Sequence, residues 1–218
     1  MADKPKCILV GAGDFTPMDL ERERGDLLIA VDGGVAYLEQ MGILPDHILG
    51  DFDSLEDRYM RIVKAYERER RESVTCLPVE KDQTDLHAAA ELGLSRGYQR
   101  FYIYGALGGR LDMTLANIQT LKYLKEHGAK GYLIGERQMV MVLREETIHC
   151  SESYEGSFSL FALDETVEGV TISGMKYAAQ DITLRNAEPL GVSNEKAAGV
   201  RADVTVGKGY ALAVASWK

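Results

Sequence analysis

Two aspartates, Asp51 and Asp53, stand one residue apart where an apolar run ends in the segment HILGDFDSLED. Ionised carboxylates this close repel each other unless a cation lies between them. Neighbouring loops carry further aspartates, Asp32 in VDGG and Asp82 and Asp85 in KDQTD. Several hard oxygen ligands of this kind suit Mg²⁺. The aspartates therefore predict a magnesium site assembled from separate loops.

Helix capping is the alternative explanation for any single aspartate. Ser54 with Asp57 resembles a capping box, and Thr84 can cap a helix whose first residue is Asp85. Capping does not explain why three loops at one edge of a predicted sheet all carry aspartate. For the group as a whole, a cation site is the stronger interpretation.

A glycine-rich segment, GALGGRLDMTLAN, forms a second candidate site. Gly105, Gly108 and Gly109 let the backbone approach a ligand closely, the following helix offers unpaired N–H groups, and Arg110 adds a planar fork of donors. This combination suits a phosphate group. The alternative is a turn in which Arg110 merely pairs with Asp112. Together, the two segments predict a Mg²⁺-dependent site for a phosphorylated ligand.

Both candidate sites need elements that bring their loops together. Short apolar runs alternate with helical patterns up to about residue 144, which predicts an α/β fold with a mostly parallel sheet and helices on both faces (Rossmann-like). The predicted strands are 7–10, 27–31, 47–49, 74–77, 101–104, 132–134 and 139–143, and the predicted helices are 35–41, 55–71, 85–96 and 111–127. Ligands bind such sheets at the carboxyl ends of the strands, where the aspartates and glycines lie.

The pattern changes after residue 146 to alternating apolar and polar residues, as in GSFSLFAL and VRADVTV. This period of two predicts a smaller antiparallel all-β sandwich domain. We therefore expect an α/β domain over 1–146 and a β-sandwich domain over 147–218. Gly207, Lys208 and Gly209 are expected to form a hairpin loop within the second domain.

The composition narrows the classes of partner and location. The 218 residues include 25 Lys and Arg against 34 Asp and Glu, a formal charge of −9, which disfavours nucleic acid as a partner. The three cysteines match no zinc spacing and indicate a reducing interior. Because no run of about eighteen apolar residues is present, we expect no membrane association and a cytoplasmic location.

Five motifs follow one another along the chain: VDGG (31–34), LGDFDS (49–54), VEKDQTDL (79–86), GALGGRLD (105–112) and GVSNE (191–195). Their order and spacing resemble the thiamine pyrophosphokinase family, also called thiamin diphosphokinases. The resemblance implies that ATP and thiamine react to give AMP and thiamine diphosphate, on a homodimer whose thiamine sites lie between subunits. The thiamine hydroxyl would attack the middle phosphorus of ATP in line, while metal and arginine stabilise charge on the transferred oxygens.

The resemblance also implies roles for individual residues. The ligands of Mg²⁺ on the ATP phosphates would be Asp51, Asp53 and Asp85, with Asp32 supporting them. The residues lining the ATP site would be Asp32, Gln83, Thr84, Gly108, Gly109, Arg110 and Asp112. Ser193 and Asn194, on the β domain, would lie near the thiamine ring. Gly50 would keep space for the incoming nucleotide.

Several alternatives stay open at the level of the sequence. Asp82 is a candidate general base, but a metal-activated alkoxide or a phosphate oxygen would also serve. Met113 and His87 stand where family members commonly have histidine and an acidic residue, respectively. The alternative functions are a non-catalytic Mg²⁺-nucleotide sensor and a pyrophosphokinase for another alcohol, such as a pterin. The GVSNE motif favours thiamine over the pterin.

Overall fold

The computed structural model describes residues 4–15 and 20–217 and divides the chain into two units, Met1–Glu136 and Arg137–Lys218. The described part of the first unit has the strands β1 Cys7–Val10, β2 Leu27–Val31, β3 His47–Gly50, β4 Val74–Cys76, β5 Arg100–Tyr104 and β6 Lys130–Ile134. These strands are parallel to their neighbours, in the order β6-β5-β1-β2-β3-β4. The predicted mostly parallel sheet is therefore confirmed.

Helices pack on both faces of this sheet. They are α1 Gly34–Gln40, α2 Asp57–Glu69, α3 Asp85–Ser95 and α4 Leu111–Glu126. The apolar side chains of α1 and α2 share one buried cluster with Ile8 and Val10. The alternate residue Cys7 faces α3, because a Cβ on Gly93 would lie 2.9 Å from Cys7 Sγ and 2.5 Å from the Phe101 ring. Within residues 4–15 and 20–217, no helix combines the length and the apolar character needed to cross a membrane.

His47 begins β3 as a buried, neutral side chain. Its Nε2 lies 2.8 Å from Thr75 Oγ1, and its Nδ1 lies 3.2 Å from the guanidinium of Arg96. Because arginine can only donate, Nδ1 accepts and Nε2 carries the proton. Burial, aided by the charge of Arg96, lowers the pKa of His47 to about 4. The imidazole thus ties β3 to β4 and to the end of α3, and fixes the strand that leads into Gly50 and Asp51.

The described residues of the second unit form strands and no helix. The strands are β7 Gln138–Leu143, β8 Glu146–Cys150, β9 Gly156–Ala162, β10 Thr166–Ser173, β11 Ala179–Arg185, β12 Gly191–Lys196, β13 Ala202–Val206 and β14 Ala211–Trp217. Their pairings are antiparallel, in the orders β12-β9-β14-β7 and β11-β10-β13-β8. An antiparallel all-β region following the α/β region is therefore confirmed.

Two expectations for this region differ from the structure. The second unit begins at Arg137 and not at residue 147, because β7 pairs antiparallel with β14; its apolar run MVMVL is largely buried and so resembles a parallel strand in sequence. The segment from Gly207 to Gly209 does not close a hairpin, because β13 and β14 lie in different sheets. This loop instead packs against β10, where Glu168 N donates to Lys208 O at 2.9 Å.

Candidate active site

Three carboxylates meet at the carboxyl ends of β2 and β3 and the start of α3. Asp32 follows β2, Asp51 follows β3, and Asp85 is the first residue of α3. One oxygen of each carboxylate lies within 4.8 Å of the other two. We call Asp32, Asp51 and Asp85 the carboxylate trio. The sequence prediction grouped these residues with Asp53 and Asp82, whose exposed side chains lie outside the trio.

The backbone at Phe52 separates Asp51 from Asp53. Phe52 has a φ of +59° and a buried ring. A left-handed conformation turns the chain sharply and is unfavourable for a residue that carries a Cβ. Asp53 N donates to Asp51 Oδ1 at 3.4 Å within this turn. Burial of the aromatic ring offsets the strain, and the turn directs Asp51 into the trio while Asp53 stays at the surface.

Gly50 has a different neighbour from the one that the sequence suggested. A Cβ on Gly50 would lie 3.0 Å from Asp32 Cα and 3.1 Å from the Phe52 ring. Asp32 is itself in the left-handed region, with a φ of +49°. The missing side chain therefore lets Asp32 and Phe52 approach β3.

Lys81 lies among the carboxylates and is not one of the predicted site residues. Its Nζ donates to Asp51 Oδ2 at 2.7 Å and lies 2.8 Å from Asp85 Oδ1. The three side chains are largely buried, with 14% of Lys81, 14% of Asp51 and 16% of Asp85 exposed. The single positive charge of Lys81 is therefore shared between two members of the trio. The available signal was a single lysine among three acidic residues in VEKDQTDL.

These contacts shift the pKa values of the group in different directions. Burial, together with the charges of Asp85 and Asp51, raises the pKa of Asp32 above its ordinary value. The hydrogen bond from Lys81 lowers the pKa of Asp51. Burial alone would lower the pKa of Lys81, but the hydrogen bond to Asp51 and the charges of both aspartates raise it. Lys81 contacts Asp51 and Asp85, whereas Asp32 has no ion pair with any residue that the structure describes.

A divalent cation fits the unpaired atoms of the trio. Asp32 Oδ1 is buried with no hydrogen-bond partner among the described residues, and Asp85 Oδ1 contacts Lys81 as a charge without hydrogen-bond geometry. Buried oxygens left in this state are destabilising. Two oxygens on opposite sides of Mg²⁺ lie about 4.2 Å apart, because each Mg–O bond is about 2.1 Å. Oxygens within 4.8 Å of one another therefore need only a small closure to bind one ion.

The glycine-rich loop after β5 lies against the loop after β1. Gly13 N donates to Gly105 O at 2.7 Å, and a Cβ on Gly105 would lie 2.4 Å from Gly11 O. From α4, the buried Asn117 donates through Nδ2 to Ala106 O at 2.8 Å. These contacts fix the loop where the strand order changes direction, which is the position of ligands in open α/β sheets. The sequence prediction did not include Asn117, although it lies within the quoted motif.

Arg110 pairs with Asp112, which is the alternative that the sequence left open. Its Nε and Nη2 donate to the two Asp112 oxygens at 3.2 Å and 2.6 Å. Gly108 and Gly109 have φ values of +77° and +62°, which glycine adopts readily. The Arg110 and Asp112 side chains are 70% and 64% exposed, and exposed ion pairs stabilise proteins little. Arg110 can therefore exchange Asp112 for a phosphate with little loss of stability.

The other predicted residues of the KDQTD loop have simpler surroundings. Thr84 caps α3, because its Oγ1 accepts from His87 N at 3.2 Å. Its hydroxyl hydrogen is still available for donation. Gln83 and Asp82 are exposed. His87 Nδ1 lies 3.2 Å from Thr120 Oγ1, which gives this histidine a structural partner on α4.

Asn194 of β12 is buried and holds the segment before β11. Its Oδ1 accepts from Tyr177 N at 2.9 Å, and its Nδ2 donates to Tyr177 O at 2.8 Å. The Tyr177 side chain is 60% exposed. Ser193 has a φ of +55° and an exposed side chain, while its N donates to Ser159 Oγ at 2.9 Å. Asn194 therefore positions Tyr177, whereas Ser193 is presented at the surface.

Known protein families match the chain in two segments. Residues 19–133 match the family described as thiamin pyrophosphokinase, catalytic domain. Residues 145–211 match the family described as thiamin pyrophosphokinase, vitamin B1 binding domain. Among curated proteins, thiamine pyrophosphokinase of Bacillus subtilis (strain 168) is 32% identical over 172 residues, which are 78% of this chain and 78% of that protein.

Solved structures share the fold over nearly the whole chain. The crystal structure of thiamine pyrophosphokinase from Bacillus subtilis aligns with a TM-score of 0.83 at 26% identity, covering 99% of this chain and 100% of that one. Thiamin pyrophosphokinase from Geobacillus thermodenitrificans aligns with a TM-score of 0.81 at 23% identity, covering 98% of each chain. The similarity therefore extends through both units.

Proposed function

The chain belongs to the thiamine pyrophosphokinase family, and from this premise we propose that it transfers the pyrophosphoryl group of ATP to the hydroxyl of thiamine. The hydroxyl oxygen bonds to the β-phosphorus, the bond from that phosphorus to the α,β-bridging oxygen breaks, and AMP leaves. The meeting of Asp32, Asp51 and Asp85 at the strand ends carries the proposal, because it provides metal ligands where a nucleotide binds an α/β sheet.

ATP binds, in this proposal, at the carboxyl ends of the strands of a Rossmann-like first unit. Arg110 leaves Asp112 to donate to the phosphates, and the left-handed glycines beside it let the backbone approach them. The residues that line this ATP site are Asp32, Gln83, Thr84, Gly108, Gly109, Arg110 and Asp112. The first unit is thus the ATP- and metal-binding unit.

Mg²⁺ is the metal that we propose for this site. The trio would hold it, and the exposed Asp53, one residue beyond Phe52, would join when a nucleotide brings its phosphates. When bound, Mg²⁺ stabilises negative charge on the transferred phosphoryl oxygens. Asp82 is exposed in the loop that precedes α3, and we keep it as the candidate base for the thiamine hydroxyl proton.

Thiamine binds, in the same proposal, to the second unit through the GVSNE segment. Ser193 presents its hydroxyl at the surface, and Asn194 acts through the Tyr177 backbone that it holds. From the family resemblance we further propose a homodimer with thiamine sites between subunits, and a cytoplasmic location without nucleic acid or membrane as a partner.

The products of the reaction test this function directly. Purified protein with Mg²⁺, ATP and thiamine is expected to form AMP and thiamine diphosphate in equal amounts, measured by anion-exchange chromatography. ADP in place of AMP would show that a single phosphoryl group is transferred. Binding of ATP with no turnover of thiamine would favour a nucleotide sensor, and turnover of a pterin alcohol in preference to thiamine would favour the other pyrophosphokinase.

Replacement of Asn194 tests the thiamine half of the site. Asn194→Ala removes both hydrogen bonds to Tyr177, so we expect the KM for thiamine to rise by about tenfold or more while the KM for ATP changes little. Steady-state kinetics with each substrate varied in turn measure both constants. Asn186→Ala, at an exposed asparagine of the same unit, is the matched control and is expected to leave both constants unchanged. Equal effects on thiamine and ATP would contradict the assignment.

A further inference from the structure

Lys81 is a charged side chain to which the proposed reaction gives no role. Its ammonium contacts Asp51 Oδ2 at 2.7 Å and Asp85 Oδ1 at 2.8 Å, and it also donates to Pro78 O at 3.2 Å. Asp51 and Asp85 are two of the three carboxylates expected to hold the metal ion. A metal ion and the Lys81 ammonium therefore compete for the same two carboxylates.

We propose that Lys81 is a counter-ion that binds the trio when no metal ion is present. It is displaced from the trio when a metal ion binds together with a nucleotide. This inference rests on the proposed function, since it assumes that the trio is the metal site of the pyrophosphokinase. Lys81 is in this sense a positioning residue that acts through Asp51 and Asp85.

The burial of the group explains why metal alone is a poor competitor. The Lys81 side chain is only 14% exposed, so an ammonium that loses both carboxylates stays in a poorly solvated place and keeps the neutral Pro78 O, but no anionic partner among the described residues. A free divalent cation brings no anionic group to which the displaced ammonium could bind. A metal bound to a nucleotide brings phosphate oxygens, which are strong acceptors for a displaced ammonium. Loading of the metal is therefore coupled to loading of the nucleotide.

Asp32 supplies an independent sign that Lys81 compensates the trio incompletely. Its Oδ1 is buried and has no hydrogen-bond partner within the described part of the chain. One ammonium thus serves two carboxylates and leaves the third unpaired. A divalent ion carries the charge and the coordination number to serve all three, which is the reason that the exchange proceeds once the ammonium has another partner.

Metal affinity without nucleotide tests the proposal. Lys81→Met keeps the length of the side chain and removes its charge, so we expect Mn²⁺ alone to bind about tenfold more tightly or better than to the unchanged protein, measured by electron paramagnetic resonance of free Mn²⁺. Lys81→Arg keeps a cation and is expected to bind Mn²⁺ as weakly as the unchanged protein. Lys64→Met, at an exposed lysine of α2, is the matched control and should have no effect.

Thermal unfolding separates this role from a purely structural one. If Lys81 only stabilises the fold, Lys81→Met melts at a lower temperature and binds Mn²⁺ no better. If Lys81 is a counter-ion, Lys81→Met is expected to melt in EDTA at a lower temperature than the unchanged protein. Added Mn²⁺ is then expected to raise the melting temperature of Lys81→Met more than that of Lys64→Met. Unchanged or weaker Mn²⁺ affinity in Lys81→Met overturns the proposal. These readouts need no thiamine, so a failure of the proposed function, seen as missing AMP, is distinguishable from a failure of this inference.

Discussion

Asp51→Asn is expected to lower the rate of AMP formation by about 10³-fold or more, because it removes the charge of a carboxylate that we propose as a metal ligand. Asparagine has nearly the same shape, so the fold and the turn at Phe52 are expected to persist. Raising the Mg²⁺ concentration should not restore the rate, since an amide oxygen replaces a carboxylate poorly. Initial rates over a range of Mg²⁺ concentrations, at saturating ATP and thiamine, measure the effect.

Asp53→Asn tests whether the two aspartates of the GDFDS motif have different roles. Asp53 lies outside the trio, so this variant is expected to bind Mn²⁺ without nucleotide as weakly as the unchanged protein does and yet to lose turnover, because we propose that Asp53 binds the metal only when the phosphates are present. Asp57→Asn, which makes the same charge change at an exposed position of α2, should have the same rate as the unchanged protein.

A wild-type rate for Asp51→Asn at limiting Mg²⁺ would show that Asp51 does not bind the metal.

The regular elements of the first unit could be predicted because each carries a local pattern. Residues 7–10 and 27–31 are continuous apolar runs and coincide with β1 and β2. The predicted helix over 111–127 differs by one residue from Leu111–Glu126, since apolar residues recur along it at the helical period. Parallel strands then place their following loops at one edge, which is why Asp32 and Asp51 could be brought together from sequence alone.

Contacts between distant side chains could not be predicted in this way. Lys81 contacts Asp51, from which it is separated by 30 positions in the chain. Hydrophobic periodicity predicts helices and strands, and it does not predict such a contact. The left-handed backbone conformation at Phe52 could not be predicted either, because aromatic residues rarely adopt it and tertiary packing stabilises it here. For this reason Asp51 and Asp53, which the sequence does not distinguish, differ in burial and in their position relative to the trio. The predicted start of the second unit also differs from the structure, because the sequence of a buried strand such as β7 does not show which strand it pairs with.

Gly105→Ala is expected to destabilise the protein by about 3 kcal/mol or more, which tests the close approach of the loops after β1 and β5. Gly105 has a φ of +60°, and an alanine Cβ would lie 2.4 Å from the backbone oxygen of Gly11, which cannot rotate away as a side chain can. The left-handed conformation accounts for about 1–2 kcal/mol of this effect, and the overlap with Gly11 for about 1–3 kcal/mol. Gly128→Ala provides the matched control, because Gly128 has a φ of +75° but no atom within 4 Å of the added Cβ. The difference in the free energy of unfolding between the two variants, measured by urea denaturation, therefore isolates the contact between the loops. Equal values for the two variants would mean that the loops lie farther apart than 2.4 Å implies, and that the glycine-rich loop is not held at the change in strand order where the phosphates are proposed to bind.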